Sequence, residues 1–355
     1  MSAANRDEWT MPGVYEVAPG VYRIPLPLPM QGLTAVNSYL FTGADGLVYV
    51  DPGFSDDANR QAIERAFAEL GHSISDITTC IATHHHWDHY AQAYAWRGEI
   101  GSKLYIGHEE RHSILGFDLD AEVRYPTQTE QLAEAGAQAV SRAIAEGEPS
   151  EMEQNTPYGP PDGWLSGGDR IELADGGLEV IATPGHTRGH VILRHTASGV
   201  LVTGDHVLPF ITPSIGFEWS PEPQPLQSFL RSLGQTLELP DGALLPAHGP
   251  VLGSTHARVK EQIAHHDERL AEVLELIGRR PSSSYEVARQ MKWTRRARAL
   301  DDLPVEHQMI AISEIRAHLE MLRLQGRAQT VDDDGVLRYA PASDQNPRAS
   351  SSATA

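Results

Sequence analysis

In the stretch THHHWDH, residues 83–89, His84 and His86 stand two apart at a strand end, and Asp88 and His89 follow on the next turn. At this spacing two imidazoles and a carboxylate–imidazole pair face one small volume. Neutral imidazole and carboxylate are the ligand types that suit Zn²⁺, or Fe or Mn where oxygen ligands are more numerous. Three later segments, TPGH at 183–186, TGDH at 203–206 and PAHG at 246–249, each end a strand in a turn that carries a ligand type, His186, Asp205 and His248. A glycine beside each lets the backbone turn sharply where the side chain must point inward. Each turn alone is a weak signal, but all of them in order after separate strands point to one metal-binding constellation.

The HxHxDH motif formed by His84, His86, Asp88 and His89, with the later His186, Asp205 and His248, resembles the metallo-β-lactamase superfamily over roughly residues 14–254. That resemblance implies two divalent metal ions, with His84, His86 and His186 on one, Asp88, His89 and His248 on the other, and Asp205 bridging. Asp51, in VDPG, matches the family's aspartate after an early strand and is expected to orient a ligand from behind. Two such cations lower the pKa of a bridging water to about 7 and polarise a carbonyl or phosphoryl oxygen. The expected nucleophile is therefore a bridging hydroxide, and Asp88 is the expected catalytic side chain, orienting it and carrying its proton to the leaving group. Neither a Gly-rich phosphate loop nor a Gly-x-Ser-x-Gly elbow competes with this chemistry.

The elements that must position these residues read as mixed α/β, and the resemblance makes the fold an αββα sandwich with a C-terminal winged-helix domain. Residues 14–25 and 37–51 read as antiparallel strands, 56–70 as a helix, and 77–82 as a buried strand delivering His84. From about 91 to 165 the chain turns helical and polar, then Pro/Gly-rich, and reads as an insertion or lid over one edge of the core. Strands resume at 170–173, 178–183, 190–195 and 200–203. After His248, helices at 255–278, 281–290 and 305–326 precede two strands around Asp332-Asp333-Asp334-Gly335, the order of a winged helix. The expected division is a flexible start at 1–13, a catalytic domain at 14–254, a winged-helix-like domain at 255–340 and a disordered tail at 341–355.

Net charge is −20, and residues 1–254 carry 13 Lys and Arg against 33 Asp and Glu. So acidic a domain repels polyphosphate, which argues against nucleic acid as the main substrate. The only dense basic patch, Lys292, Arg295, Arg296 and Arg298 around Trp293, lies in the near-neutral C-terminal part. It suits a phosphate-bearing carrier or a second subunit better than DNA, so a structural or dimerising role, giving a homo-oligomer, is expected there. No basic start with an apolar stretch and no run of about 18 apolar residues occurs, so a cytoplasmic protein away from membranes is expected. The single cysteine, Cys80, reads as a buried core thiol.

Trp87 and Tyr90 flank ligands, and Phe210, Phe217 and Trp219 follow Asp205 in a Pro-stiffened stretch, so these five are the candidate walls of an apolar substrate pocket. His85, His108, His112, His190, His195 and His206 read as surface or packing residues, His265 and His266 as solvated or interfacial, and Arg188 as solvated. Within the superfamily the catalytic part is similar to glyoxalase II and related thioesterases, with a winged helix in place of glutathione-binding helices. The expected reaction is hydrolysis of a small-molecule thioester or other activated acyl ester, with a lactone or single-stranded RNA as the rival substrates.

Overall fold

Alternation along the early strands decides which side chains meet which layer. The structure, a computed structural model, describes residues 8–29, 33–294 and 297–342. Strands β1 (Tyr15–Ala18), β2 (Val21–Pro27), β3 (Ala35–Thr42) and β4 (Leu47–Val50) pair antiparallel in sequence order. β5 (Ile77–Ala82), β6 (Lys103–Gly107) and β7 (Gly163–Leu165) then add in parallel, completing a seven-stranded sheet. On β3, Val36 and Leu40 face the helices α1 (Asp57–Glu69) and α2 (Trp87–Ile100), meeting Ile63, Phe67 and Trp96. Tyr39 and Phe41, one residue out of phase, face the other way into the second sheet.

That second sheet has the spatial order β12-β11-β10-β9-β8, built from β8 (Arg170–Leu173), β9 (Gly176–Ala182), β10 (Val191–His195), β11 (Leu201–Gly204) and β12 (Leu244–Pro246). Its pairs are antiparallel except β11 with β12. Leu178, Val180, Val191, Leu193 and Val202 interlock with Tyr39, Phe41, Val48, Val50 and Ile81 between the sheets. α7 (Pro225–Glu238) lies beyond the second sheet, where Ser232 donates to the Pro184 carbonyl (2.9 Å). Two sheets between helical layers make the α/β sandwich that the motif order implied.

The stretch 91–165 is not wholly an insertion. α2 continues to Ile100, and β6 and β7 are strands of the first sheet. The helical period was hidden because α2 buries Tyr90, Ala91, Gln92, Ala93 and Trp96 around much of its circumference, so no polar face alternates with an apolar one. What remains between β6 and β7 forms α3 (Arg111–Gly116), α4 (Pro126–Glu134), α5 (Gln138–Ala145) and α6 (Glu151–Asn155).

The chain divides into two units, one of residues up to 127 with 146–266, the other of 128–145 with 267 onward. The boundary expected at 254–255 falls instead inside α8 (Thr255–Arg279), and the segment with α5 joins the second unit. The reason is local packing: α5 packs on α10 (Val305–Leu324) with Val140 and Ile144 buried. The second unit also holds α9 (Ser284–Ala288), capped by Ser283 and Glu286 in a reciprocal capping box, and a hairpin of β13 (Ala328–Asp333) and β14 (Val336–Pro341). Asp334 (φ +52°) and Gly335 (φ +80°) close the hairpin, the backbone that a two-residue turn demands. Of the expected chain ends, residues 8–10 form a short 3-10 turn whose Trp9 carbonyl accepts from Arg23 (2.7 Å). Residues 1–7, the tail from 343, and Arg295 and Arg296 lie outside the described residues.

Candidate metal centre

β5 runs out at Ala82 and the chain turns through Thr83 to His86 into α2, whose first turn carries Asp88 and His89. A carboxylate in that position is favoured by the helix dipole. His186, Asp205 and His248 follow the carboxyl ends of β9, β11 and β12, so both sheets deliver ligands to the same edge of the sandwich. Two of these turns require glycine. A Cβ on Gly185 (φ +136°) would lie 2.4 Å from Phe229 Cα, and one on Gly204 (φ +49°) would lie 2.5 Å from Thr83 Oγ1.

Four of the five motif imidazoles have one nitrogen hydrogen-bonded to a protein oxygen, the fifth, His89, sets one beside Asp51, and all turn the other nitrogen into a common volume. His84 Nδ1 meets Thr83 Oγ1 (3.1 Å), His86 Nε2 the Phe217 carbonyl (2.8 Å), and His186 Nδ1 the Ser214 carbonyl (2.7 Å). His248 Nδ1 meets the Ala35 carbonyl (2.8 Å), and His89 Nδ1 lies 3.0 Å from Asp51 Oδ2. For His86, His186 and His248 that oxygen is a carbonyl, which can only accept, so the outer nitrogen carries the proton and the inner one presents a lone pair.

The inner nitrogens of His84, His86 and His186 form a triangle with sides of 2.9, 3.2 and 3.3 Å. A tetrahedral ion with bonds of about 2.0–2.1 Å places ligand nitrogens about 3.3–3.4 Å apart. The second set is carried by Asp88 Oδ2, which lies 3.4 Å from His248 Nε2 and 3.6 Å from His89 Nε2. Asp205 stands between the sets: Oδ2 is 3.6 Å from His186 Nε2, while Oδ1 is 3.4 Å from His248 Nε2 and 3.9 Å from His89 Nε2. His89 Nε2, His248 Nε2 and Asp205 Oδ1 are buried with no hydrogen-bond partner. Converging lone pairs and orphaned buried acceptors are unfavourable by themselves and fit divalent cations.

Electrostatics separates the two sets. Burial and the neighbouring imidazoles push His86 and His186 down to about 3 and His84 well below its ordinary value, leaving all three neutral. Burial also opposes charge on His89, but Asp88, Asp51 and Asp205 outweigh it and push that imidazole up to about 10. Asp205 and Asp88 likewise raise His248 against its burial. Asp88, despite burial, is held well below the usual carboxylate range by His89 and His248. The second set therefore pairs an ionised carboxylate with imidazoles that favour positive charge, whereas the first set is neutral.

Asp51 sits behind the centre at φ +51°, a strained backbone for a non-glycine residue. Its Oδ1 accepts the Thr83 N–H (2.7 Å) and its Oδ2 the Thr83 hydroxyl (2.9 Å), while Oδ2 also faces His89. A second buried network has no counterpart in the motif reading. Glu110 binds His85 through Oε2 and the Thr187 hydroxyl through Oε1. Glu218 takes the Ser113 hydroxyl (2.8 Å) and the Arg188 N–H (2.8 Å). Burial drives the Glu110 carboxyl up to about 8 and His85 down to about 3, so the pair is neutral. Gly107 and Gly189 flank this network, and a Cβ on Gly107 would stand 1.8 Å from the Gly189 carbonyl oxygen, a closeness that only the packed structure shows.

The other expected residues divide. Trp87, Phe217 and Trp219 are half-buried near the ligands, and Phe210 is exposed. Tyr90 is no pocket wall: it is fully buried in the core, with its hydroxyl on the Gly159 carbonyl (2.7 Å), because α2 turns that face onto the first sheet. His190 packs behind Asp205, accepting its N–H (3.2 Å), and His206 meets Thr236 (3.2 Å). His195 is buried against Phe41, while His108 is exposed and His112 half-buried. His266, expected in solvent or at an interface, is buried against Phe229, with His265 exposed beside it. Arg188 is half-buried, its guanidinium 3.7 Å from Glu109.

Residues 32–248 match the profile of the metallo-beta-lactamase superfamily. The chain belongs to that superfamily. Among curated relatives, the probable metallo-hydrolase YqjP of Bacillus subtilis is 24% identical over 319 residues, covering 85% of this chain and 91% of that one. The beta-lactamase-like protein 2 homolog of Drosophila melanogaster is 22% identical over 343 residues, 94% of this chain and 98% of its own. A solved metallo-beta-lactamase family protein of Thermus thermophilus superposes with a TM-score of 0.75 at 27% identity, over 92% of this chain and all 100% of its own. A beta-lactamase domain protein of Burkholderia ambifaria gives 0.74 at 29% identity, over 93% of each chain. These superfamily likenesses extend past the catalytic profile into the second unit. The chain is accordingly a metallo-hydrolase superfamily protein whose His and Asp clusters are able to bind metal. Among the described residues no helix is long and apolar enough to cross a membrane.

Proposed function

We propose that this protein is a dinuclear metal-dependent hydrolase of small thioesters or activated acyl esters. The observation that carries this reading is Asp205, which offers one oxygen to each donor set. His84, His86 and His186 would hold one cation and Asp88, His89 and His248 the other, with Zn²⁺ favoured by the imidazole-rich donors. When bound, the cations lower the pKa of water toward about 7 and polarise the substrate carbonyl.

The chain's own residues supply the rest. Asp88 is ionised and points into the donor volume, so it holds the proton of the attacking water and delivers it to the leaving sulfur. Water oxygen bonds to the carbonyl carbon, the C–S bond breaks, and a carboxylic acid and a thiol leave. Asp51, through Thr83 and His89, keeps two ligands in register as charge moves. A small neutral or weakly charged acyl substrate agrees with the acidity of residues 1–254, which disfavours RNA. The second unit, on this reading a winged-helix module, carries an Asp-rich hairpin turn and suits a structural or dimerising role.

Metal analysis of the purified protein with a thioester panel tests the proposal, using Asp205→Ala and Asp88→Asn. About two metals per chain, as a dinuclear site requires, with turnover lost in both variants, is the expected result. Two metals with turnover of a lactone or single-stranded RNA, and none of any thioester, would overturn the substrate class while keeping the site.

A further inference from the structure

Next to the metal donors an aromatic wall runs outward from His86. The His86 ring lies 6.0 Å from that of Phe217, whose carbonyl also holds His86 Nε2. Phe217 stacks on Tyr125 (6.1 Å), Tyr125 tilts against Trp219 (5.1 Å), and Trp219 meets Phe117 edge-on (5.3 Å). Phe117 in turn meets Tyr158 (4.7 Å). All five rings are only half-buried. Contiguous half-exposed aromatics beside a constellation of polar donors are the composition of a ligand pocket.

A second observation is independent of exposure. Tyr125, at the centre of the wall, has φ +49°, a conformation that is rare and costly for a side chain of this size. Strain of that kind persists where surrounding structure holds it, and it clusters at ligand sites. The nearby carboxylate does not compete for an apolar guest, since both Glu218 oxygens are engaged, by Ser113 and by the Arg188 N–H.

We infer that Phe217, Tyr125, Trp219 and Phe117 form a subsite for a planar apolar acyl group, so that the preferred substrates are aromatic acyl compounds. The inference rests on the acyl-hydrolase reading for placing the carbonyl at the metal donors. Ring pairs with centroids about 4.5–7 Å apart prefer edge-on and offset geometries. A planar guest ring suits contacts of this kind, and a linear chain makes less of them.

The test uses the zinc-loaded full chain and reads both binding and turnover. Calorimetric titration with phenylacetate, hexanoate and acetate, the carboxylate products of acyl hydrolysis, is expected to show phenylacetate binding about tenfold tighter than acetate. Trp219→Ala should erase that preference, and Trp219→Phe, which keeps a ring, should retain it. Tyr125→Leu, with thermal melting to confirm folding, provides a second loss. Equal affinities, tighter binding of hexanoate than of phenylacetate, or a preference that survives both Trp219→Ala and Tyr125→Leu would overturn the subsite. Should phenylacetate bind with the expected preference while phenylacetyl and acetyl thioesters both resist hydrolysis, the thioester reading fails and the subsite stands.

Discussion

Glu110 accepts the Thr187 hydroxyl through one oxygen and meets His85 through the other, so a single buried carboxyl ties together the two turns that carry His84, His86 and His186. Neither Thr187 nor His85 faces the donor volume. Both lie next to ligands in the chain, and their anchoring fixes the nitrogen triangle from behind.

Glu110→Ala should therefore weaken zinc binding about 10- to 100-fold, the usual consequence of losing a group that orients ligands. Titration calorimetry on the metal-free protein would read it. Unchanged affinity would show that the turns hold their shape without the carboxyl.

Zinc should stabilise the fold. With free zinc at about 100 times its Kd, unfolding becomes harder by about 2.7 kcal/mol, and Asp205→Ala should lose most of that gain because both donor sets share this residue. Thermal melting with and without a chelator makes the comparison.

Gly185→Ala should destabilise the protein by about 2–3 kcal/mol, the range for a backbone position that rejects a Cβ. The added carbon would stand 2.4 Å from Phe229 Cα, and φ is +136°, so α7 must move or the His186 turn must open. Urea unfolding measures the loss, and metal affinity should fall with it.

Cys80 should resist thiol reagents in the folded protein at pH 8 and react once the chain is unfolded. It is wholly buried, and burial pushes its thiol up to about 12. The sign for stability follows: above the ordinary thiol range the unfolded chain sheds a proton that the folded chain keeps, so stability falls as pH rises toward 12. The slope from this group is about 1.4 kcal/mol per pH unit. Cys80→Ala should flatten it in denaturation curves taken between pH 9 and 11.

By itself the sequence determined the candidate donor constellation and most of the strands. His84, His86, Asp88 and His89 fall within six residues, and the remaining candidate donors each follow a short apolar strand with glycine in the turn, so local pattern carried them. The tail elements were legible for the same reason: Ser283 with Glu286 caps a helix, and Asp334-Gly335 closes a hairpin, within a few residues of each other.

Tertiary structure decided what no local pattern contains. α2 is buried around much of its surface, which erased its periodicity and made a core helix and two core strands read as an insertion. Tyr90 lay beside a ligand in sequence but turned into the core, because one residue along a helix rotates the side chain by about 100°. The brace of Glu110 and Glu218 and the aromatic wall with Tyr125 join residues from separate segments. Their partners are fixed by how the sheets and helices pack, so spacing along the chain could not reveal them.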